Sequence, residues 1–188
     1  MTTHHSKPAR TLGFLTIVES PAHGFFGGYL MLNEAGRPLE FHCTAPIRPN
    51  RAQEILYGPT LRPFLCGEQI GQTLLSQGKS QPHVIYTDVA AMVEVRRFID
   101  QTVVLVLPPS PENEGSEKLR VDAPHQGLND ISCALLTFQV NDQNLAVCAR
   151  HENDRQTAHQ QCDALGIDFD LTEPFDRIRY AIDEAQPK

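Results

Sequence analysis

Cysteine and histidine are the first residues of this 188-residue chain to consider as metal ligands or nucleophiles. A structural zinc site needs four ligands, usually including a close pair. The nearest approaches are His42 beside Cys43 and His159 close to Cys162, and neither has the remaining ligands nearby. The cysteines are odd in number and form no CxxC pair, so we expect reduced, mostly buried thiols and no structural metal. They are Cys43, Cys66, Cys133, Cys148 and Cys162.

A nucleophile and a base could also be assembled from these residues. Cys66, followed by Gly67 and Glu68, could act with His42 or His83, but no strained turn or local signature supports that pair. The glycine-rich run from residue 23 to 28 lies between two strands, whereas a phosphate-binding loop leads into a helix. We therefore interpret this run as a hairpin connection.

Three acidic residues stand at the ends or beginnings of predicted elements. Glu19 follows the first strand, Glu54 lies in the first turn of a helix, and Asp88 follows a later strand. Each has an ordinary structural explanation: a solvated strand end, a carboxylate near a helix N-terminus, and a helix N-cap. Their joint interest depends on the order of the surrounding elements.

Hydrophobic patterning predicts an α+β or α/β fold with a central mixed sheet. Strands are expected near residues 12–18, 27–33, 38–44, 83–87 and 102–107. The second and third form a hairpin around the turn from Asn33 to Gly36, and Asn50 caps the helix that follows. Gly58 and Pro59 should interrupt that helix, which resumes with helical spacing from residue 61 to 75. A helix at 90–99 then links the last two strands, which should be parallel.

The C-terminal third adds a second hairpin, at 134–140 and 145–149, and two helices, at 153–165 and 172–186. The last helix carries an apolar stripe of Phe175, Ile178 and Ile182, which should pack on the main sheet unless it is a partner-docking surface. The expected organisation is a disordered tail at 1–10, a main sheet domain at 11–107, a flexible loop at 108–132, and a hairpin plus two helices at 133–188 packing on the same domain.

Three antiparallel strands, a helix, a strand, a helix and a strand, over residues 12–107, resemble the ribonuclease H-like fold. Gly27-Gly28-Tyr29 entering the second strand, and Asn50-Arg51 followed three residues later by Glu54, also look like bacterial ribonuclease H. The resemblance implies that Glu19, Glu54 and Asp88 converge on two Mg²⁺ or Mn²⁺ ions for phosphodiester hydrolysis. Asp154 would supply the family's fourth carboxylate. The family has Asp followed by Gly-Ser where this chain has Glu19-Ser20-Pro21.

Charge separates two hypotheses of function. Residues 1–107 carry nine Lys and Arg against eight Asp and Glu, whereas residues 108–188 carry seven against fifteen. The only basic cluster of the first part is Arg48, Arg51 and Arg62, with Arg96 and Arg97 further on. Because the acidic set departs from the family's and no basic groove is evident, the first hypothesis is a non-catalytic binding or regulatory module with an unknown protein partner. The alternative is a ribonuclease H-like metal-dependent nuclease that acts on nucleic acid.

Membrane insertion and secretion are not expected. The longest apolar run is about six residues, against roughly 20 for a membrane-spanning helix. The N-terminal decapeptide has no apolar segment or small-residue cleavage site typical of a signal peptide. We therefore predict a cytoplasmic protein.

Overall fold

A computed structural model describes residues 10–108, 133–165 and 169–185. Seven strands form one mixed sheet in the order β3-β2-β1-β4-β5-β7-β6. β4 is parallel to both β1 and β5, and the other neighbouring pairs are antiparallel. The mixed sheet and the parallel β4–β5 pair are therefore confirmed. The strands are β1 Thr11–Ser20, β2 Gly24–Asn33, β3 Pro38–Cys43, β4 Val84–Thr87, β5 Thr102–Val106, β6 Leu135–Val140 and β7 Gln143–Cys148.

β1 is central because both of its faces are apolar. Phe14 belongs to a core cluster on one face of the sheet, and Leu15 to a second cluster on the other. Its hairpin partner β2 turns into β3 at Gly36, whose φ of 70° suits glycine. The Asn33 side chain accepts hydrogen bonds from the backbone N–H groups of Ala35 and Arg37, at 3.0 Å each, and holds the turn.

Helical segments between β3 and β5 cover the face that carries Leu15. Helix α1 (Arg51–Tyr57) begins with the capping box of Asn50 and Gln53, and the predicted interruption is a 3₁₀ turn, Gly58–Thr60. The chain then continues as α2 (Leu61–Pro63), a π-helical segment (Phe64–Gly71) and α3 (Gln72–Gln77).

The helix expected at 90–99 is instead a 3₁₀ helix, Ala90–Arg97. A 3₁₀ helix rises about 2.0 Å per residue, against 1.5 Å for an α-helix, so eight residues return about 16 Å along the sheet. The crossover between β4 and β5 therefore uses a helix of eight residues, where the hydrophobic spacing predicted one over residues 90–99.

Two helices cover the opposite face, α4 (Asn153–Leu165) and α5 (Glu173–Ala185). In α5, Phe175, Ile178 and Ile182 are at most 2% exposed and join the cluster of β1 and β2. The prediction that this stripe packs on the main sheet is thus confirmed. No helix in the described ranges is both long and apolar enough to cross a membrane. The predicted tail and the 108–132 loop lie, except for Arg10 and Pro108, outside the described residues.

Candidate functional site

Asp88 follows β4 at the carboxyl end of the central parallel strands. The β1–β4 register aligns Leu15 with Thr87, so the next residue of β1, Thr16, lies level with Asp88. The Thr16 hydroxyl donates a hydrogen bond of 2.6 Å to Asp88 Oδ1. Arg179, on α5, donates to Asp88 Oδ2. Both carboxylate oxygens of Asp88 are therefore engaged by this three-residue cluster, Thr16–Asp88–Arg179.

Glu19 lies elsewhere on β1. Side chains alternate between the two faces of a strand, so Glu19 lies on the face opposite Thr16, and three residues correspond to about 10 Å along the strand. Glu19 forms an ion pair with Arg62 of α2, which belongs to the helical layer opposite α5. The residue of β1 beside Asp88 is therefore Thr16, which the sequence analysis missed.

Glu54 projects from a helix that has no buried residue. Its carboxylate accepts a hydrogen bond of 3.0 Å from Arg51 Nη1, within an exposed i,i+3 pair. Such pairs are screened by water and contribute little to stability. Glu54 also lies in the first turn of α1, the ordinary structural position considered for it above.

Asp154 is buried at the start of α4, where it forms an ion pair. It accepts hydrogen bonds from Arg96 Nε at 2.7 Å and Nη2 at 3.3 Å, and from Thr102 Oγ1 at 3.3 Å. Arg96 Nη1 also donates to the carbonyl of Ile99. The cluster thus joins α4 to the β4–β5 crossover, and both oxygens of Asp154 have protein donors.

These four carboxylates do not form a metal centre in the described part of the chain. No three or more His, Cys, Asp or Glu side chains there are grouped so that they could hold a metal ion. A two-cation site needs several carboxylate oxygens around each ion. Thr16 and Asp88 offer a single carboxylate whose oxygens are occupied, so the residues at this edge do not fit Mg²⁺ or Mn²⁺. The assignment of Glu19, Glu54, Asp88 and Asp154 as ligands stays a prediction.

Three of the cysteines are buried in the core. Cys66 lies in the π-helical segment and is fully buried, and Cys148 and Cys162 are 5% and 6% exposed. Burial raises the pKa of the Cys162 thiol and of Cys133, which disfavours the reactive thiolate. His42 contacts Glu40 on β3, at 3.2 Å.

Two arginines, Arg48 and Arg62, lie at the turn between β1 and β2. Arg48 donates to the carbonyls of Pro21 and Ala22. Arg62 lies over the ring of Phe25, 5.9 Å from its centroid. The side chain of Arg51, on the neighbouring helix, is 82% exposed. The basic cluster noted in the sequence therefore lies partly at this turn, with Arg51 on α1.

No protein-family model matches the chain, and no curated protein matches its sequence. Among solved structures, human ENDOV aligns with 94% of this chain and 84% of its own, at 12% identity and a TM-score of 0.52. The chain has a ribonuclease H-like fold. Two others align less well. Ciona intestinalis Endonuclease V (D234N) in complex with an inosine-containing 23mer DNA aligns with 75% of this chain and 71% of its own, at 11% identity and a TM-score of 0.42. Marinitoga piezophila Argonaute in complex with 5′ OH guide RNA aligns with 77% of this chain and 23% of its own, at 10% identity and a TM-score of 0.34.

The fold predicted from residues 12–107 is thereby confirmed. At 12% identity the likeness to the human protein extends to the fold alone. The sequence does not indicate which residue of β1 lies beside Asp88, because β1 is apolar on both faces. Neither alternation nor spacing then indicates which of its residues meets β4.

Proposed function

We propose that the chain is a non-catalytic, nucleic-acid-binding module built on a ribonuclease H-like sheet. The Thr16–Asp88–Arg179 cluster is the observation that carries the non-catalytic part. It lies at the carboxyl end of β4, beside the middle of β1, and the family resemblance implies that carboxylates converge on cations at this end of β4.

The guanidinium of Arg179 acts as an internal counter-ion for Asp88. Arginine keeps its charge at all accessible pH values, and a paired, hydrogen-bonded carboxylate is a poor ligand for a second cation. Arg179 also donates a 3.0 Å hydrogen bond to Asp176 Oδ1, which holds the guanidinium in place. A divalent cation at Asp88 would have to displace this pair.

One observation supports nucleic acid as the ligand. Arg48 at the β1–β2 turn and the exposed Arg51 on α1 could supply phosphate contacts. The protein partner expected from the sequence has no comparable support.

The second candidate is the metal-dependent nuclease with Glu19, Glu54, Asp88 and Asp154 as ligands of Mg²⁺ or Mn²⁺. The likeness to human ENDOV favours it over a non-catalytic role. It requires Arg179 to release Asp88 and Glu19 to leave Arg62. In the Thr16–Asp88–Arg179 cluster both carboxylate oxygens of Asp88 already accept hydrogen bonds, which disfavours metal binding. Metal titration distinguishes the two candidates.

Isothermal titration with Mn²⁺ and Mg²⁺ tests the non-catalytic part. We expect no binding heat at millimolar metal for the native chain. The double variant Thr16→Asp, Arg179→Leu places a second carboxylate beside Asp88 and removes the counter-ion, so it should bind Mn²⁺. Binding by the native chain that is lost on Asp88→Asn, together with cleavage of labelled DNA or RNA, would establish the nuclease instead.

Fluorescence anisotropy with labelled single-stranded and duplex DNA and RNA tests the ligand. We expect binding that weakens with salt, with a slope of about −0.7 to −0.9 in log K per phosphate contact. Arg48→Gln with Arg51→Gln should lower the affinity and flatten the slope. Arg155→Gln is the matched control, because Arg155 lies on the ring of Phe138 in the acidic C-terminal part. Equal losses in both variants, or no binding, would contradict a nucleic-acid ligand.

A further inference from the structure

An apolar groove of about 310 Å³ lies between the end of β3 and the C-terminal end of α5. Its two buried lining residues are Phe26 of β2 and Ile182 of α5, which are 8% and 2% exposed. Small-molecule sites in proteins are concave and mostly apolar, with volumes of about 300–1,000 Å³, so the groove has room for a small ligand. The other lining residues are partly or fully exposed: His23, Cys43, Thr44, Ala45, Pro46 and Ala185.

The wall that follows β3 is held in place by hydrogen bonds to β2. Thr44 N donates to Gly27 O at 3.0 Å, and Thr44 Oγ1 accepts from Gly27 N at 2.9 Å. Further along, Phe25 and Ile47 exchange two backbone hydrogen bonds of 2.9 Å each. The groove is therefore pre-formed, and a ligand would not have to order this wall on binding.

The α5 wall is apolar and carries no acidic side chain. Ile182 and Ala185 are three residues apart, so they share one face of the helix. Asp183 and Glu184 follow Ile182 at about 100° and 200° around the helix axis, and neither lines the groove. Negative charge at this end of α5 is thus directed away from the groove.

The polar groups that line the groove are able to donate hydrogen bonds. Thr44 Oγ1 accepts from the backbone, which leaves its hydroxyl hydrogen to donate. His23 Nδ1 lies 3.3 Å from Ser20 Oγ, and Nε2 of the same ring has no hydrogen-bond partner among the described residues. When Ser20 donates to Nδ1, the His23 proton is on Nε2, which then faces an acceptor as a donor.

A guanidinium group lies at the His23 end of the groove. A Cβ atom at Gly24 would be 2.6 Å from Arg48 Cγ, and Gly24 lies on the same face of β2 as Phe26. The stem of Arg48 therefore lies two residues along β2 from the buried lining. Arg48 Nη2 donates to two carbonyls of the β1–β2 turn, the second of them immediately before His23. Its Nε and Nη1 groups donate to no other residue in the described ranges.

We propose that the groove binds a free, unbranched medium-chain carboxylate. The hydrocarbon chain lies on Phe26 and Ile182, and the carboxylate lies at the end marked by His23 and Arg48. Burial of hydrocarbon against an apolar lining is favourable, and a carboxylate complements a guanidinium and neutral donors, whereas a cationic head group would have no acceptor side chain there. The site shares Arg48 with the nucleic-acid interface proposed above but does not rest on that proposal.

Isothermal titration of the full chain with hexanoate, octanoate, decanoate and dodecanoate, each below its micellar concentration, tests the chain site. Each added methylene that is buried should tighten binding about fourfold, and the affinity should level off when the groove is full. Ala185→Trp fills the groove and should weaken decanoate binding about tenfold or more, the equivalent of two buried methylenes. Ala35→Trp is the matched control, because Ala35 is exposed in the turn at the other end of the β2–β3 hairpin, and it should bind decanoate as the native chain does.

The head group is tested by charge. Arg48→Gln should weaken binding of decanoate and leave binding of neutral 1-decanol unchanged. Arg51→Gln removes an arginine of the proposed nucleic-acid interface that does not line the groove, so it should leave decanoate binding unchanged even where nucleic-acid binding falls. A failure of one proposal is thereby distinguished from a failure of the other.

Three results would overturn the carboxylate site. They are no binding of any of the acids at millimolar concentration, equal decanoate affinity in the native chain and Ala185→Trp, and tighter binding of decylammonium than of decanoate. Binding to vesicles of anionic phospholipid without binding of free decanoate would also overturn it and assign the groove to a lipid surface.

Discussion

Gly28 offers a sharp test of how α5 packs on the sheet. A Cβ atom at Gly28 would lie 2.2 Å from Cγ2 of Ile178 and 2.9 Å from Cδ1 of Ile182. Both isoleucines are buried, so neither has solvent to move into. Gly28→Ala must therefore shift α5 away from β2 or force an isoleucine out of its rotamer.

The expected change in unfolding free energy is the balance of two effects. Replacing glycine by alanine within a helix or strand raises the unfolding free energy by about 0.5–1 kcal/mol, because alanine loses less conformational freedom than glycine on folding. Overpacking of a close-packed core costs about 1–3 kcal/mol. We expect Gly28→Ala to destabilise the protein by about 1–2 kcal/mol, because a contact of 2.2 Å to a buried carbon cannot be relieved by a flexible side chain.

Urea unfolding, read as the midpoint at constant slope, measures this loss. Gly78→Ala is the matched control, because its Cβ would have neighbours at 3.4 Å or more, and it should be neutral or slightly stabilising. Ile178→Ala alone should cost about 2–5 kcal/mol. In the double variant Gly28→Ala, Ile178→Ala the new methyl enters the vacated space, so the combined loss should fall short of the sum by about 1 kcal/mol or more. Strict additivity, or a stabilising Gly28→Ala, would refute the close approach of α5 to β2.

Three further predictions concern stability. Arg96→Leu leaves the buried carboxylate of Asp154 without its counter-ion and should cost about 3–5 kcal/mol in urea unfolding, whereas Arg96→Leu with Asp154→Leu should recover most of this loss. Hydrogen bonds from Thr172 to Asp170 lower the pKa of Asp170 in the folded protein. The ionised Asp170 therefore stabilises the fold above its unfolded pKa of about 3.9, and this stabilisation is lost as pH falls through the lower folded pKa. In Asp170→Asn, the urea midpoint should fall less steeply between pH 6 and pH 2 than in the native chain. A chain that ends at Leu171 loses the three buried apolar side chains of α5, about 1.5–3 kcal/mol each, and should no longer unfold cooperatively on heating; an unchanged midpoint would contradict the packing.

Local patterns in the sequence determined the elements and the class of the fold. The β2–β3 hairpin followed from two apolar runs around Asn33–Gly36, and the α5 stripe from apolar residues three and seven positions apart. Both are short-range periodicities that one element expresses by itself, so they can be read without knowing its neighbours. Asp88 was placed correctly at the end of β4 for the same reason.

Only the tertiary structure decided what surrounds Asp88. Thr16 meets it through the register of two strands 72 residues apart, and Arg179 reaches it from a helix 91 residues further on. Because β1 is buried on both faces, its sequence carries no alternation that distinguishes Thr16 from Glu19 as the neighbour of β4. Register and helix docking are set by packing between distant segments, and this packing left Asp88 beside a hydroxyl and a guanidinium instead of other carboxylates.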